Sequence, residues 1–175
     1  MGLAGIAIAF LLQSPTMAAP APPPLQCEGL EYAALDFWVG EWDVYPNGQD
    51  TPVGRSRIEK LYKGCAIREN WMPNSGNDGG SLSGYNPATK RWRQTWIGGA
   101  AGQAYFEGGT VDGKLVLTGW WAGSGPNGEA GLTRMTYSRQ ENGAVRQLGE
   151  FSADHGLTWG PSFDFIYRPR KKDAS

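Results

Sequence analysis

Apolar and polar residues alternate along most of this chain with a period of two. Residues at i and i+2 share one face of a strand. Residues 91–97 therefore split into an aromatic face of Trp92, Gln94 and Trp96 and an opposite face of Arg91, Arg93 and Thr95. The same alternation predicts strands over 54–62, 66–72, 80–85, 103–110, 114–121, 132–139, 144–152 and 162–167, after an aromatic opening strand at 37–45. Between them stand residues with turn chemistry. Asn86-Pro87-Ala88-Thr89 combines a turn-starting Asn with the fixed φ of Pro, and Asp112-Gly113 and Asn142-Gly143 are hairpin signals. Asp154-His155-Gly156 reads as an exposed turn, and 73–80 and 122–131 as longer Gly-rich loops. Helical spacing is confined to Leu30, Ala33 and Ala34, which predict a short helical turn over 28–36. Short strands at regular spacing, joined in order by tight turns, predict an all-β, up-and-down antiparallel barrel of about eight to ten strands.

Composition agrees with that fold. The chain has 175 residues, of which 26 are Gly, 8 Trp, 7 Tyr and 6 Phe, a mixture suited to hairpin turns and half-buried pleated surfaces. This length fits one barrel domain, over 35–168, with its own core. The formal net charge of −1 offers no basic footprint for nucleic acid. The basic segment 169–175 reads as a solvated tail.

The N-terminus changes the picture of location. An apolar run at 3–12 is too short to span a bilayer and is followed by small residues at 17–21. That order is the pattern of a secretory signal over 1–21, with cleavage near Ala18 to Ala21, although no Lys or Arg precedes the run. The alternative is a disordered cytosolic leader. Residues 22–34 then form a Pro-rich lead-in ending in the helical turn. A periplasmic or secreted location follows from the signal reading, with no stable membrane insertion. In an exported chain the pair Cys27 and Cys65 is expected to form a disulfide, the alternative being two buried thiols. Two Cys and a single His do not make a metal-ligand set, and no metal or cofactor is expected.

Asp36-Phe37-Trp38-Val39-Gly40-Glu41-Trp42 carries a Gly-x-Trp on the opening strand. Further along stand Gly64-Cys65-Ala66-Ile67-Arg68-Glu69-Asn70-Trp71, Ser83-Gly84-Tyr85-Asn86, Arg91-Trp92-Arg93-Gln94-Thr95-Trp96, and Ser152-Ala153-Asp154 with Thr158-Trp159. Together these resemble an exported bacterial family of lipocalin-like barrels, of the calycin type, that carries no assigned function. The resemblance spans roughly Leu35 to Arg168. It implies that Trp42 plugs one end of the interior and that Gly40 permits close packing. It implies no activity, because a fold does not fix a function.

Candidate chemistry comes from parity. Glu69 and Trp71 share a face, as do Trp92, Gln94 and Trp96. Polar groups among inward tryptophans cost free energy unless hydrogen-bonded, and an aromatic wall with a few polar groups is the usual form of a small-molecule site. Glu69, Trp71, Trp92, Gln94 and Trp96 are therefore the candidate ligand-binding residues. Each also has a purely structural reading: Glu69 paired with Arg134 or Arg146, Gln94 bonded to a neighbouring strand, and the tryptophans as filling. Leu115 with Leu117, and Phe163, Phe165 and Tyr167, read as plain core. His155, the single histidine, sits at a turn, away from where a catalytic triad or haem ligand would be needed. The Gly-rich loops lack the Gly-Lys-Ser/Thr and helix of a phosphate loop.

Three functional classes remain. The first is an exported binding module for a small apolar or amphipathic ligand. The second is an isomerase or hydrolase with Glu69 as general base, the one catalytic candidate. The third is an envelope interaction protein with a solid core and exposed Trp120 or Trp121 as its contact patch.

Overall fold

A computed structural model describes Met1 and residues 27–100 and 102–171. The expected signal segment beyond Met1, the Pro20 to Pro24 stretch and residues 172–175 of the tail lie outside the described residues. Ten antiparallel strands form one closed barrel. They are β1 (Gly40–Pro46), β2 (Gly54–Leu61), β3 (Ala66–Pro73), β4 (Gly79–Asn86), β5 (Arg91–Gly98), β6 (Gln103–Val111), β7 (Lys114–Trp121), β8 (Gly131–Arg139), β9 (Val145–Ser152) and β10 (Gly160–Pro169). Each pairs with its chain neighbours, and β1 closes the sheet against β10. The fold is the lipocalin-like up-and-down barrel that the alternation predicts, and closure leaves no free strand edge.

The turns follow their residues. Asp112 (φ 49°) and Gly113 (φ 72°) both take left-handed backbone, so a two-residue turn of type I′ joins β6 to β7. At Asn142-Gly143 only Gly143 is left-handed, and Gly143 N–H donates to Gln140 O. That hairpin therefore uses a type I turn followed by a left-handed glycine, a wider loop than the dipeptide suggests. Asn86 Oδ1 accepts the N–H groups of Ala88 and Thr89, capping the turn between β4 and β5.

The opening strand begins later than its sequence suggests. Asp36–Trp38 is a 3-10 turn, preceded by a turn closed by the Ala33 N–H to Gly29 O bond rather than by a regular helix. Trp42 Nε1 donates to Trp38 O at 2.8 Å, which folds the indole back over Gly40. Gly40 has a φ of 152°, a conformation that side chains resist. The Gly-x-Trp pair thus turns the chain into the barrel at its closed end. Beneath it Leu35 and Trp38 are completely buried, with the Trp38 ring 4.8 Å from Tyr137 and 5.6 Å from Tyr167. The Cys27–Cys65 disulfide is present and ties this plug to the entry of β3.

Apolar side chains point inward, and ion pairs such as Arg68–Glu59, Arg93–Glu107, Arg134–Glu150 and Arg146–Asp164 lie on the outer surface. The loops opposite the plug include both Gly-rich segments.

Candidate functional site

A cavity of about 180 Å³ lies inside the barrel, at the end away from the plug. Its wall is aromatic. Trp71 on β3 stacks on Phe165 of β10, Phe165 on Phe163, Phe163 meets Trp121 of β7 edge-on, and Trp121 tilts against Trp96 of β5. These rings form a connected series around the opening, with neighbouring centroids 5.4 to 6.4 Å apart. Phe106 and Met135 complete the apolar lining.

One strand owes its part in that wall to a bulge. The pairing of β10 with β9 shifts between Pro161 and Phe163. Pro161 lacks the N–H for a regular ladder, and Ser162 Oγ instead donates to Ser124 O at 2.8 Å. Beyond the bulge Phe163, Phe165 and Tyr167 all face inward. Gly149 lies under Phe163, where a Cβ would overlap the ring.

The floor is polar. Ser56 Oγ of β2 donates to Glu69 Oε1 at 3.0 Å, and Ser81 Oγ of β4 to Glu69 Oε2 at 3.3 Å. The Tyr167 hydroxyl has two acceptors in reach, Gln147 Oε1 at 2.7 Å and Glu69 Oε1 at 3.3 Å. Gln147 Nε2 donates to the Tyr137 hydroxyl at 3.0 Å, and Gln94 Nε2 to Ser83 Oγ at 3.0 Å and to Tyr137 at 3.3 Å. The bonds connect in one direction when Glu69 is protonated. The carboxyl then donates to Tyr167, Tyr167 to Gln147, Gln147 to Tyr137, and Tyr137 to Gln94 Oε1. An ionised Glu69 competes with Gln147 for the one Tyr167 proton.

Electrostatics agree with that pattern. Burial pushes the Glu69 carboxyl up to about 7, against the opposing pull of hydrogen bonds from Ser56, Tyr167 and Ser81. Burial, and next the nearby Glu69 charge, hold the phenols of Tyr137 and Tyr167 above their usual range. No Lys, Arg or His is among the described residues that line the cavity.

The candidate residues are placed as follows. Glu69, Trp71, Gln94 and Trp96 all line the cavity. Trp92 does not. It is buried at the closed end, where its Nε1 donates to Glu31 O at 3.0 Å and its ring packs near Tyr85. Parity gives the face of a strand but not the depth: Trp92 and Trp96 share a face yet stand roughly 13 Å apart along it. The proposed partners of Glu69 are also elsewhere, since Arg134 pairs with Glu150 and Arg146 with Asp164 on the outside. Gln94 does bond to the neighbouring strand, through Ser83, while still lining the cavity. Phe163, Phe165 and Tyr167, read from sequence as plain core, are cavity residues, whereas Leu115 and Leu117 are core. Trp121 turns inward and only Trp120 is exposed, beside the His155 ring.

Gln147 and Tyr137 escaped the sequence reading. Gln147 shares a face with the buried Val145, the same signal that marked Gln94. Ser152, Asp154 and Thr158 are structural: Asp154 accepts from all three of Ser152 Oγ, Thr158 N–H and Thr158 Oγ1, and the Thr158 bonds foremost hold its carboxyl down to about 2. Among the described residues no three His, Cys, Asp or Glu side chains lie close enough to share a metal ion. No protein-family model and no curated protein sequence matches this chain.

Proposed function

We propose that this barrel is an exported binding module of the lipocalin-like kind, taking one small, largely apolar molecule at its open end. The observation that carries the reading is the cavity itself: an aromatic wall over a hydrogen-bonded polar floor. Its size sets the scale of the ligand. An apolar cavity of roughly 150 Å³ holds benzene, so about 180 Å³ holds one ring with a short substituent or a branched chain of similar bulk. Export is supported by the Cys27–Cys65 disulfide, since such bonds persist in oxidising compartments. The ion pairs on the outer surface support a barrel that works in water, since a membrane barrel needs an apolar outer band.

A test is titration of the 15N-labelled protein with indole, benzyl alcohol and 1-octanol. The indole N–H resonances of Trp71, Trp96 and Trp121 should move on binding, while those of Trp42 and Trp92 at the closed end stay in place. No movement with any of the three, or equal movement at both ends, overturns the reading.

A second reading, acid–base catalysis by Glu69, is favoured by one observation, a cavity carboxyl with its pKa near 7. It predicts that Glu69→Gln abolishes turnover of a bound substrate while leaving its binding in place.

A further inference from the structure

We propose that the ligand is a small organic cation, a primary ammonium carrying one compact apolar group, with its nitrogen on Glu69 and its body among the aromatic rings. This rests on the binding reading above and specifies the charge of what is bound. Three observations converge on it.

First, the cavity is electrostatically one-sided. Among the described lining residues Glu69 is the one carboxylate, and no cation answers it. Arg68, Arg93, Arg134 and Arg146 of the surrounding strands are paired outside, with Glu59, Glu107, Glu150 and Asp164 in that order. Second, the wall is made of the side chains that favour cations. Trp71, Trp96, Trp121, Phe163 and Phe165 line it, and the negative π faces of such rings attract an ammonium, most strongly where water is excluded. Third, the open hydrogen-bonding capacity of the floor is for accepting. Ser56 and Ser81 already donate to Glu69, Gln147 to Tyr137, and Gln94 to Ser83. Glu69 Oε2 has a single partner, Ser81 at 3.3 Å, and a carboxylate oxygen accepts more than one bond. A donor-bearing cation fits that vacancy, and an anion meets an unanswered carboxylate.

The groups facing Glu69 are Ser56 of β2, Ser81 of β4 and Tyr167 of β10, with the Tyr137 phenol of β8 and the Gln147 amide of β9 behind them. None of these carries charge near neutral pH. Glu69 is therefore the group whose ionisation the cation draws on, and binding should release its proton.

The experiment compares benzylammonium, benzyl alcohol and benzoate, three probes of nearly one shape, by titration calorimetry on the disulfide-bonded protein. The expected order is benzylammonium tightest, by about tenfold or more over the alcohol, as charge-assisted hydrogen bonds are worth, with benzoate weakest. Benzylammonium affinity should rise from about pH 6 to about pH 8 as Glu69 ionises, with proton release detected by repeating the titration in buffers of different ionisation enthalpy. Glu69→Gln should erase the preference for benzylammonium over benzyl alcohol, with the fold of the variant checked by its cooperative urea unfolding. Alcohol binding equal to or tighter than benzylammonium in the unaltered protein overturns the cation and leaves the binding module standing. Binding of no probe overturns both. A preference without pH dependence or proton release removes Glu69 from the role and overturns the proposal as stated.

Discussion

Replacing Glu69 by Gln preserves the shape of the side chain and removes its ability to ionise. In the folded protein the Glu69 carboxyl is raised from 4.5 to about 7, chiefly by burial. The direction of the consequence follows from proton counting. Below about pH 4.5 both folded and unfolded chains hold the proton, and nothing changes with pH. Between about 4.5 and about 7 the unfolded chain releases it while the folded chain keeps it, so stability falls as pH rises. Above about 7 both are ionised and the full cost is reached; the shift corresponds to about 3 kcal/mol. Glutamine avoids that cost, because its amide stays neutral and can still meet Ser56, Ser81 and Tyr167. The expectation is a variant within about 1 kcal/mol of the unaltered protein near pH 5, and more stable by roughly 2–3 kcal/mol near pH 8. Urea unfolding at the two pH values, disulfide intact and followed by Trp fluorescence, measures it. Taking the difference between the two proteins cancels every other titrating group. A difference that is the same at both pH values to within about 0.5 kcal/mol, or that shrinks as pH rises, refutes the reasoning.

The plug and the disulfide give two further tests. Trp38 is completely buried, so Trp38→Ala should cost about 3–5 kcal/mol in urea unfolding. Its Nε1 is the one buried side-chain polar atom among the described residues without a partner. Trp38→Phe should therefore cost much less than the alanine variant, since it keeps most of the buried ring and also removes an unpaired donor; equal losses would refute this. Cys27 and Cys65 are separated by 38 positions, and the chain-entropy relation gives a loss of about 4 kcal/mol on replacing both by Ser. A loss below about 1 kcal/mol would mean that the plug docks without its covalent tie.

The fold was legible because a strand's period of two is written in each segment and every hairpin is local. Strand pairing then follows chain order, and closure of β1 on β10 is the only non-local step. The site was legible only in part, because parity assigns a face and leaves depth open. Trp92 and Trp96 have identical signals on β5, yet one locks the plug and the other walls the cavity. Phe163 and Phe165 were indistinguishable from core for the same reason, since an inward Phe reads alike whether its neighbour is a methyl group or empty space. Trp38 departs from the strand because its backbone carbonyl serves Trp42 from a 3-10 turn, a contact that alternation cannot encode.

Glu69 is the residue that a purely structural account of the interior explains least. Gln94 and Gln147 occupy the same polar layer, each hydrogen-bonded and neither able to ionise. A third amide at position 69 would meet the same kind of partners without a charge to desolvate, so a layer needed only for packing or register has no use for the acid. The cost of about 3 kcal/mol above pH 7 is then a stability sacrifice, of the kind that functional sites carry. Glu69→Gln separates the two accounts in one variant. If the carboxylate exists to meet a cation, the substitution raises stability near pH 8 and removes ammonium affinity together. If it is structural, the gain in stability comes with no loss of any ligand.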